Sequence, residues 1–210
     1  MILDDIKESV IRGDAKKTKE LVETAVKENV DIAKILNEGL IAGMNVVGTK
    51  FKANEFYVPE VLIAARAMGG GMTLLQPFIE KSGIKPVGKV AVGTVKGDLH
   101  DIGKNLVAMM WKGAGFEVMD LGIDTSEEKF IDAIKNGAQA IGFSALLTTT
   151  MPGMKNIIDR IKKEGLRDKV KVIIGGAPIT QSYADEIGAD GYAPDAGSAV
   201  DKLKEMLSIS

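Results

Sequence analysis

A single histidine and a carboxylate two residues before it are the clearest candidates for chemistry in this chain. His100 is the only imidazole among the 210 residues, and Asp98 and His100 both follow an apolar run, 89–95, that has the composition of a buried strand. Imidazole is the commonest metal-ligating side chain, and a carboxylate often accepts the proton of its other nitrogen. The pair is therefore typical of a metal-binding histidine with an orienting carboxylate. Taken alone, the segment also suits a histidine on the surface or at a helix N-cap.

The first of two predicted halves is helical. Residues 1 to about 82 carry apolar side chains at helical spacing, and Asp14 and Asp31 stand where N-caps belong. Pro59 suits the first turn of a last helix, because proline needs no backbone donor there. Four helices with short connections predict a small antiparallel bundle, and residues 83–87 are expected to link it to the second half.

In the second half, short β-rich runs alternate with helical stretches, which predicts a parallel sheet covered by helices on both faces. The expected fold class is α plus α/β, a four-helix bundle followed by a five-stranded, Rossmann-like (flavodoxin-like) parallel sheet. Ligands of such sheets bind beyond the carboxyl ends of the strands. Strands are predicted at 89–95, 117–121, 140–145, 171–174 and 191–193, and helices at about 103–113, 126–136, 153–164, 179–187 and 196–207.

Several functions common to doubly wound sheets are excluded by the residues present. A dinucleotide turn needs G-x-G-x-x-G, whereas Gly93, Gly97 and Gly103 are spaced by four and six residues, and no P-loop sequence occurs. The third predicted strand ends in the sequence Phe143-Ser144-Ala145-Leu146, without the phospho-acceptor aspartate of a response regulator. One histidine and no cysteine cannot supply the usual ligands of a zinc hydrolase.

The composition of the chain limits which classes of partner and which cellular location are expected. A net charge of -2 gives no electrostatic reason to expect nucleic acid or an anionic membrane as a partner. The N-terminus mixes acids and bases from its fourth residue, and no apolar run is expected to reach the length of a membrane span. The chain is therefore predicted to be cytoplasmic.

The pattern Asp-x-His-x-x-Gly after a first strand resembles the signature of cobalamin-binding domains that ligate cobalt through a histidine. The resemblance covers nearly the whole chain. Residues 88–210 are similar to the cobalamin-binding domain of methionine synthase and of small corrinoid proteins, and residues 1–82 to the helical cap that precedes it in both. Cofactor contacts implied by the resemblance are Gly97, Asp98, Leu99, His100, Asp101, Ile102 and Gly103 after the first strand, Ser144, Leu146 and Thr148 after the third, Gly175 and Gly176 after the fourth, and Tyr192 and Ala196 near the fifth.

The resemblance also implies roles for individual residues. His100 would be the lower axial ligand of cobalt in a cobalamin or related corrinoid whose own base is displaced. Asp98 would accept the other imidazole N–H, and Thr150 stands where methionine synthase has a serine that extends this pair. Cap residues implied to cover the upper face of the corrin, although their spacing alone fits the bundle core, are Phe51, Val58 and Val61.

The displaced nucleotide tail would have to pass along the carboxyl edge of the sheet. Gly175 and Gly176 carry no side chains there, and Ser144 and Thr148 offer hydroxyl groups.

The function implied is that of a methyl carrier. A substrate-specific methyltransferase would deliver a methyl group to Co(I), and a second methyltransferase would pass it from methyl-Co(III) to tetrahydrofolate or coenzyme M. A reductive activase is an expected third partner, and the methyl donor could be methanol, a methylamine or a methoxylated aromatic. Two alternatives are a cobalamin-dependent sensor, which usually carries a DNA-binding segment not seen here, and the small subunit of a mutase, which lacks the helical half.

Overall fold

The structure, a computed structural model, describes residues 1–209. These residues divide into two compact units, one made of residues 1–86 and 113–115 and the other of residues 87–112 and 116–209.

The first unit is built from helices whose starts are fixed by the expected caps. The Asp14 carboxylate accepts the Lys17 N–H at 2.9 Å, and Asp31 accepts the Lys34 N–H at 3.0 Å. Its helical segments are α1 (Ile2–Ile11), α2 (Ala15–Lys27), α3 (Ile32–Lys34), a π-helical segment (Ile35–Ile41), α4 (Ala42–Lys52) and α5 (Val58–Ser82).

The third predicted helix differs from expectation, because its middle is π-helical. The segments from α3 to α4 follow one another without a break and make one continuous helical rod. Two small residues on this rod lie against α1, and a Cβ at Gly39 would stand 2.9 Å from a methyl carbon of Ile6. At Gly43 a Cβ would stand 2.8 Å from Val10. The predicted four-helix bundle is thus confirmed, with an irregular third helix.

Helix α5 corrects one expectation. By length and composition it is apolar enough to cross a membrane, whereas the sequence was expected to hold no such run. Core helices of soluble proteins can have the same length and apolar composition, and α5 has one face buried within the chain. Its buried residues are Val61, Ala64, Ala67, Met68, Gly71 and Leu75.

The second unit is the predicted doubly wound sheet, with all five strands parallel in the order β2-β1-β3-β4-β5. The observed strands differ from the predicted ones by a residue or less. They are β1 (Lys89–Thr94), β2 (Glu117–Asp120), β3 (Ala140–Ser144), β4 (Lys171–Gly175) and β5 (Gly191–Tyr192). The helices are α6 (Ile102–Gly113), α7 (Glu127–Lys135), α8 (Pro152–Lys163), α9 (Gln181–Ile187) and α10 (Ala196–Met206), with a short 3₁₀ turn at Arg167–Lys169.

The core of this unit is packed closely enough to fix the positions of the strand ends. Phe130 and Phe143 meet edge to face with ring centroids 4.9 Å apart. The buried Trp111 donates its indole N–H to the Ala199 carbonyl oxygen at 3.1 Å. Burial of large aromatic side chains with a paired N–H is a strong stabilising contribution.

The strand order decides which loops meet. Strand β1 lies between β2 and β3, and Thr94 and Ser144 are partners at the last position of the β1–β3 ladder. The loops that follow β1 and β3 therefore start side by side, at the point where the strand order reverses.

The two glycines at the end of β4, Gly175 and Gly176, lie close to the backbone of other loops, and packing requires glycine at Gly176. Gly176 has φ +135°, and a Cβ there would stand 1.9 Å from the Ala145 carbonyl oxygen. A Cβ at Gly175 would stand 3.0 Å from the Ala193 carbonyl oxygen. Passage of a ligand tail would also favour glycine here, but the clash at Gly176 is a backbone reason that holds without a ligand.

Gly176→Ala is therefore expected to lower the free energy of unfolding by about 3 kcal/mol or more, since it adds a backbone clash to a strained φ. Gly137→Ala is the matched control, because Gly137 also has a positive φ (+94°) but open space around its Cβ position. It should cost only about 1–2 kcal/mol. Chemical denaturation of both variants measures the difference, and equal losses would contradict the steric explanation.

Candidate functional site

The loop after β1 is a tight turn followed by the candidate ligand. The Asp98 N–H donates to the Val95 carbonyl oxygen at 3.1 Å, and Gly97 within this turn has φ +84°. The Thr94 hydroxyl donates to the His100 carbonyl oxygen at 3.0 Å. The last residue of β1 thus holds the far end of the loop, and His100 stays close to the end of the strand.

The Asp98 carboxylate is fully buried and accepts hydrogen bonds from five donors. Its Oδ1 accepts from the His100 backbone N–H at 3.0 Å and contacts the His100 Nδ1 at 2.7 Å. Its Oδ2 accepts from the backbone N–H groups of Leu146 and Leu147 at 2.8 and 3.3 Å, and from the Thr150 hydroxyl at 2.8 Å. One carboxylate therefore joins the loops after β1 and β3.

These donors keep the Asp98 carboxylate ionised and so decide that the His100 Nδ1 atom carries a proton. Burial raises the pKa of Asp98, but the N–H groups of His100 and Leu146, the His100 ring and the Thr150 hydroxyl outweigh it and hold the pKa well below its ordinary value. An ionised carboxylate can only accept, so the Nδ1 of His100 must carry the proton. In the neutral imidazole the Nε2 atom then keeps its lone pair, on a side chain that is 49% exposed.

Apolar side chains are exposed in the loops around this imidazole. Leu99 is 67% exposed and Ile102 76%, on either side of His100 in the sequence. Leu146 and Leu147, whose backbone groups bind Asp98, also have exposed side chains. Exposed apolar side chains grouped around a few polar groups are typical of a binding surface for a large, mostly apolar ligand.

The donor set fits a corrinoid. A single imidazole supplies one ligand, which suits a metal whose other ligands come from a macrocycle, and no group of three or more metal-ligating side chains occurs among residues 1–209. A Cβ at Gly103 would meet no atom within 4 Å, and its φ is not left-handed. The chain's own packing therefore does not require glycine at this position, whereas close approach of a flat ligand would.

The other predicted contacts lie along the same edge of the sheet. Ser144 ends β3 and is half-buried, and Thr148 is exposed in the loop that follows. Tyr192 ends β5 and is half-buried, whereas Ala196 is buried at the start of α10. The Asp101 side chain accepts a hydrogen bond from Asn105 in the first turn of α6.

The three predicted cap residues do not share one environment. Val61 is buried, while Phe51 and Val58 are partly exposed. Their role in covering a cofactor stays a prediction.

Three functional residues were missed from the sequence. Leu147 acts through its backbone N–H, which leaves no signature in the sequence. Thr94 and Asp124 bind the His100 loop through a hydroxyl and a carboxylate. The sequence signal for Asp124 is its place shortly after a predicted strand of a parallel sheet, at the edge where ligands bind.

A doubly wound parallel sheet with one oriented imidazole at its switch point, following a helical bundle, is the arrangement of a corrinoid-binding protein. Comparison with family models agrees. One model described as a B12 binding domain matches residues 88–201, and a second with the same description matches residues 2–76. The chain belongs to this family of B12-binding proteins.

Relatives match the chain over almost its whole length. A corrinoid protein of Desulfitobacterium hafniense is 44% identical over 98% of this chain and 97% of its own. The dimethylamine corrinoid protein 3 of Methanosarcina acetivorans is 45% identical over 98% and 97%. The trimethylamine corrinoid protein of Methanosarcina barkeri is 41% identical over 99% and 97%.

Solved structures give the same result. A cobalamin-binding protein of Desulfitobacterium hafniense has a TM-score of 0.78 at 31% identity, covering 97% of both chains. A chain of the methanol:cobalamin methyltransferase complex of Methanosarcina barkeri has a TM-score of 0.88 at 26% identity, covering all of this chain and 80% of its own.

Asp98→Asn is expected to lower the free energy of unfolding by about 2 kcal/mol or more near neutral pH, because the amide nitrogen would face N–H donors. The folded-state pKa of Asp98 lies below its unfolded value. Its contribution is therefore fully present above the unfolded pKa of about 3.9 and is lost as pH falls from there toward the folded pKa. Denaturation between about pH 7 and about pH 3 should show the wild-type advantage shrinking at the acid end.

The control is Asp132→Asn, on the exposed face of α7. Its difference from wild type should be small across the same range. A wild-type advantage over Asp98→Asn that did not change with pH would contradict the assignment of an ionised, hydrogen-bonded Asp98.

Proposed function

We propose that this protein is the corrinoid-binding methyl carrier of a multi-component methyltransferase system, with His100 as the lower axial ligand and the corrinoid's own base displaced. The observation that carries the proposal is the Asp98–His100 pair, in which a buried carboxylate holds the Nδ1 atom of a side chain that is 49% exposed. When bound, the cobalt would supply the nucleophile that takes a methyl group from one partner and passes it to the next.

The chain's own residues would orient and shield that centre. Asp98 holds the proton on Nδ1, fixes the ring orientation and makes Nε2 a better ligand. Thr150 and the two leucine N–H groups hold the carboxylate so that it does not rotate. The exposed side chains of Leu99, Ile102, Leu146 and Leu147 would cover apolar cofactor surface.

The proposed methyl donors are methylated amines. Relatives named as dimethylamine and trimethylamine corrinoid proteins are 41–45% identical over nearly the whole chain, whereas the match in the methanol complex is 26% identical. The first partner would then be a methylamine-specific methyltransferase. A second methyltransferase to tetrahydrofolate or coenzyme M and a reductive activase complete the proposed system, which we place in the cytoplasm.

Histidine ligation is tested by paramagnetic resonance of the Co(II) form of the corrinoid-loaded protein. One axial nitrogen coupling is expected, and ¹⁵N-histidine should change its multiplicity, because His100 is the only histidine in the chain. His100→Gln is the control and should lose the protein nitrogen coupling. A spectrum that isotopic labelling leaves unaltered would show that the corrinoid's own base ligates cobalt.

The carrier function is tested by methyl transfer to the reduced, corrinoid-loaded protein from a panel of donors, each with its candidate methyltransferase. We expect the corrinoid absorption spectrum to change with a methylated amine, and His100→Gln to slow this step because it removes the axial ligand. Transfer from methanol or a methoxylated aromatic alone would overturn the donor class. Tight corrinoid binding without transfer from any donor would favour the sensor or mutase alternatives.

A further inference from the structure

The loop that follows β2 lies directly against the loop that carries His100. This segment, residues 121–126 (here the β2–α7 loop), is joined to the end of β1 by two backbone hydrogen bonds. The Thr94 N–H donates to the Gly122 carbonyl oxygen at 3.0 Å, and the Thr125 N–H donates to the Thr94 carbonyl oxygen at 2.9 Å.

One residue of the β2–α7 loop binds the His100 loop from both its side chain and its backbone. The Asp124 Oδ1 accepts the Gly97 N–H at 2.7 Å, and the Asp124 N–H donates to the Asp98 carbonyl oxygen at 3.0 Å. Asp124 has φ +47°, in the left-handed region that aspartate tolerates better than most residues. Its two contacts therefore hold both residues that immediately precede Leu99.

The contact with Gly97 selects the turn type. The Asp98-to-Val95 hydrogen bond closes a four-residue turn, and Gly97 occupies its third position with φ +84°. Lys96 is not among the residues with positive φ, so the turn is type II. Types I and II differ by a flip of the central peptide, which contains the Gly97 N–H. An acceptor held on that N–H therefore favours type II over type I.

The β2–α7 loop is itself anchored at its start. The Asp120 Oδ1 accepts from the Lys104 Nζ at 2.6 Å and from the Gly122 N–H at 3.0 Å. The Lys104 side chain is only 3% exposed, so this ion pair is partly shielded from water. The β2–α7 loop that carries Asp124 is therefore held at its first residues.

We infer that Asp124 is a positioning residue for the metal ligand. By holding the Val95–Asp98 turn in type II, it sets the direction in which the Asp98 side chain leaves the backbone and so the orientation of the His100 ring. Asp124 acts only through Gly97 and Asp98. The inference rests on the proposed function as far as cobalt ligation is concerned, but its effect on the ring exists in the corrinoid-free protein as well.

Two variants distinguish the effect of the Asp124 carboxylate from the effect of its backbone conformation. Asp124→Gly removes the acceptor while keeping a residue that adopts positive φ freely, and Asp124→Asn keeps both an acceptor oxygen and tolerance of this φ. The first measurement is the ¹⁵N spectrum of the single histidine ring in the corrinoid-free protein at about pH 8.5, roughly two units above the ordinary histidine pKa of about 6.5.

The expected result is a wild-type ring held as the Nδ1–H tautomer. Asp124→Gly should lower the ratio of this tautomer to the Nε2–H form by about tenfold, the size expected for a lost hydrogen bond to a charged group. Asp124→Asn should restore most of the wild-type ratio. In the corrinoid-loaded Co(II) protein, the ratio of histidine-ligated to histidine-free cobalt should follow the same ranking. It should be lowest in Asp124→Gly and close to the wild-type value in Asp124→Asn.

Wild-type tautomer ratios in Asp124→Gly would overturn the inference, as would a loss in Asp124→Asn equal to that in Asp124→Gly. Failure of Asp124→Gly to fold would overturn it too, because the carboxylate would then support the fold rather than the ring. If the tautomer ratio shifts as expected but no variant, wild type included, shows a histidine coupling at cobalt, the positioning role stands and the proposed axial ligation fails.

Discussion

The buried Asp98 carboxylate is the interaction on which the rest of the site depends. A charge without solvent contact is costly unless its lone pairs are satisfied, and here five donors satisfy them. Three of the donors are backbone N–H groups, which carry no side-chain entropy and cannot swing away while the fold is intact. The carboxylate is consequently fixed in place as an anion, and the imidazole hydrogen-bonded to it is fixed in orientation.

The sheet topology makes this concentration of donors possible. Strand β1 lies between β2 and β3, so the loops after three strands meet at one edge. The loop after β1 supplies Asp98 and His100, the loop after β3 supplies Thr150 with two leucine N–H groups, and the loop after β2 supplies Asp124. A ligand that reaches the His100 Nε2 atom meets a surface whose polar groups are already paired, which reduces the ordering needed on binding.

The parts of this arrangement that are carried by side-chain type and strand periodicity could be predicted from the sequence. These include the parallel sheet and the Asp98–His100 pair, whereas the Thr150 hydroxyl was expected only from the resemblance to methionine synthase. The parts that depend on backbone geometry could not. The Leu146 and Leu147 N–H groups bind Asp98 through atoms that every residue has, the π-helical segment at Ile35–Ile41 reads as ordinary helix, and the clash at Gly176 comes from a carbonyl oxygen of another loop.

The central claim is that the oriented imidazole exists before the cofactor binds and is used by it unchanged. The most direct test is a crystal structure of the corrinoid-loaded protein. We expect cobalt on the His100 Nε2 atom, with Nδ1 still on the Asp98 carboxylate and the donors from Leu146 and Thr150 retained. Cobalt bound by the corrinoid's own base, ligation through Nδ1, or an Asp98 side chain rotated away from the loop after β3 would contradict it.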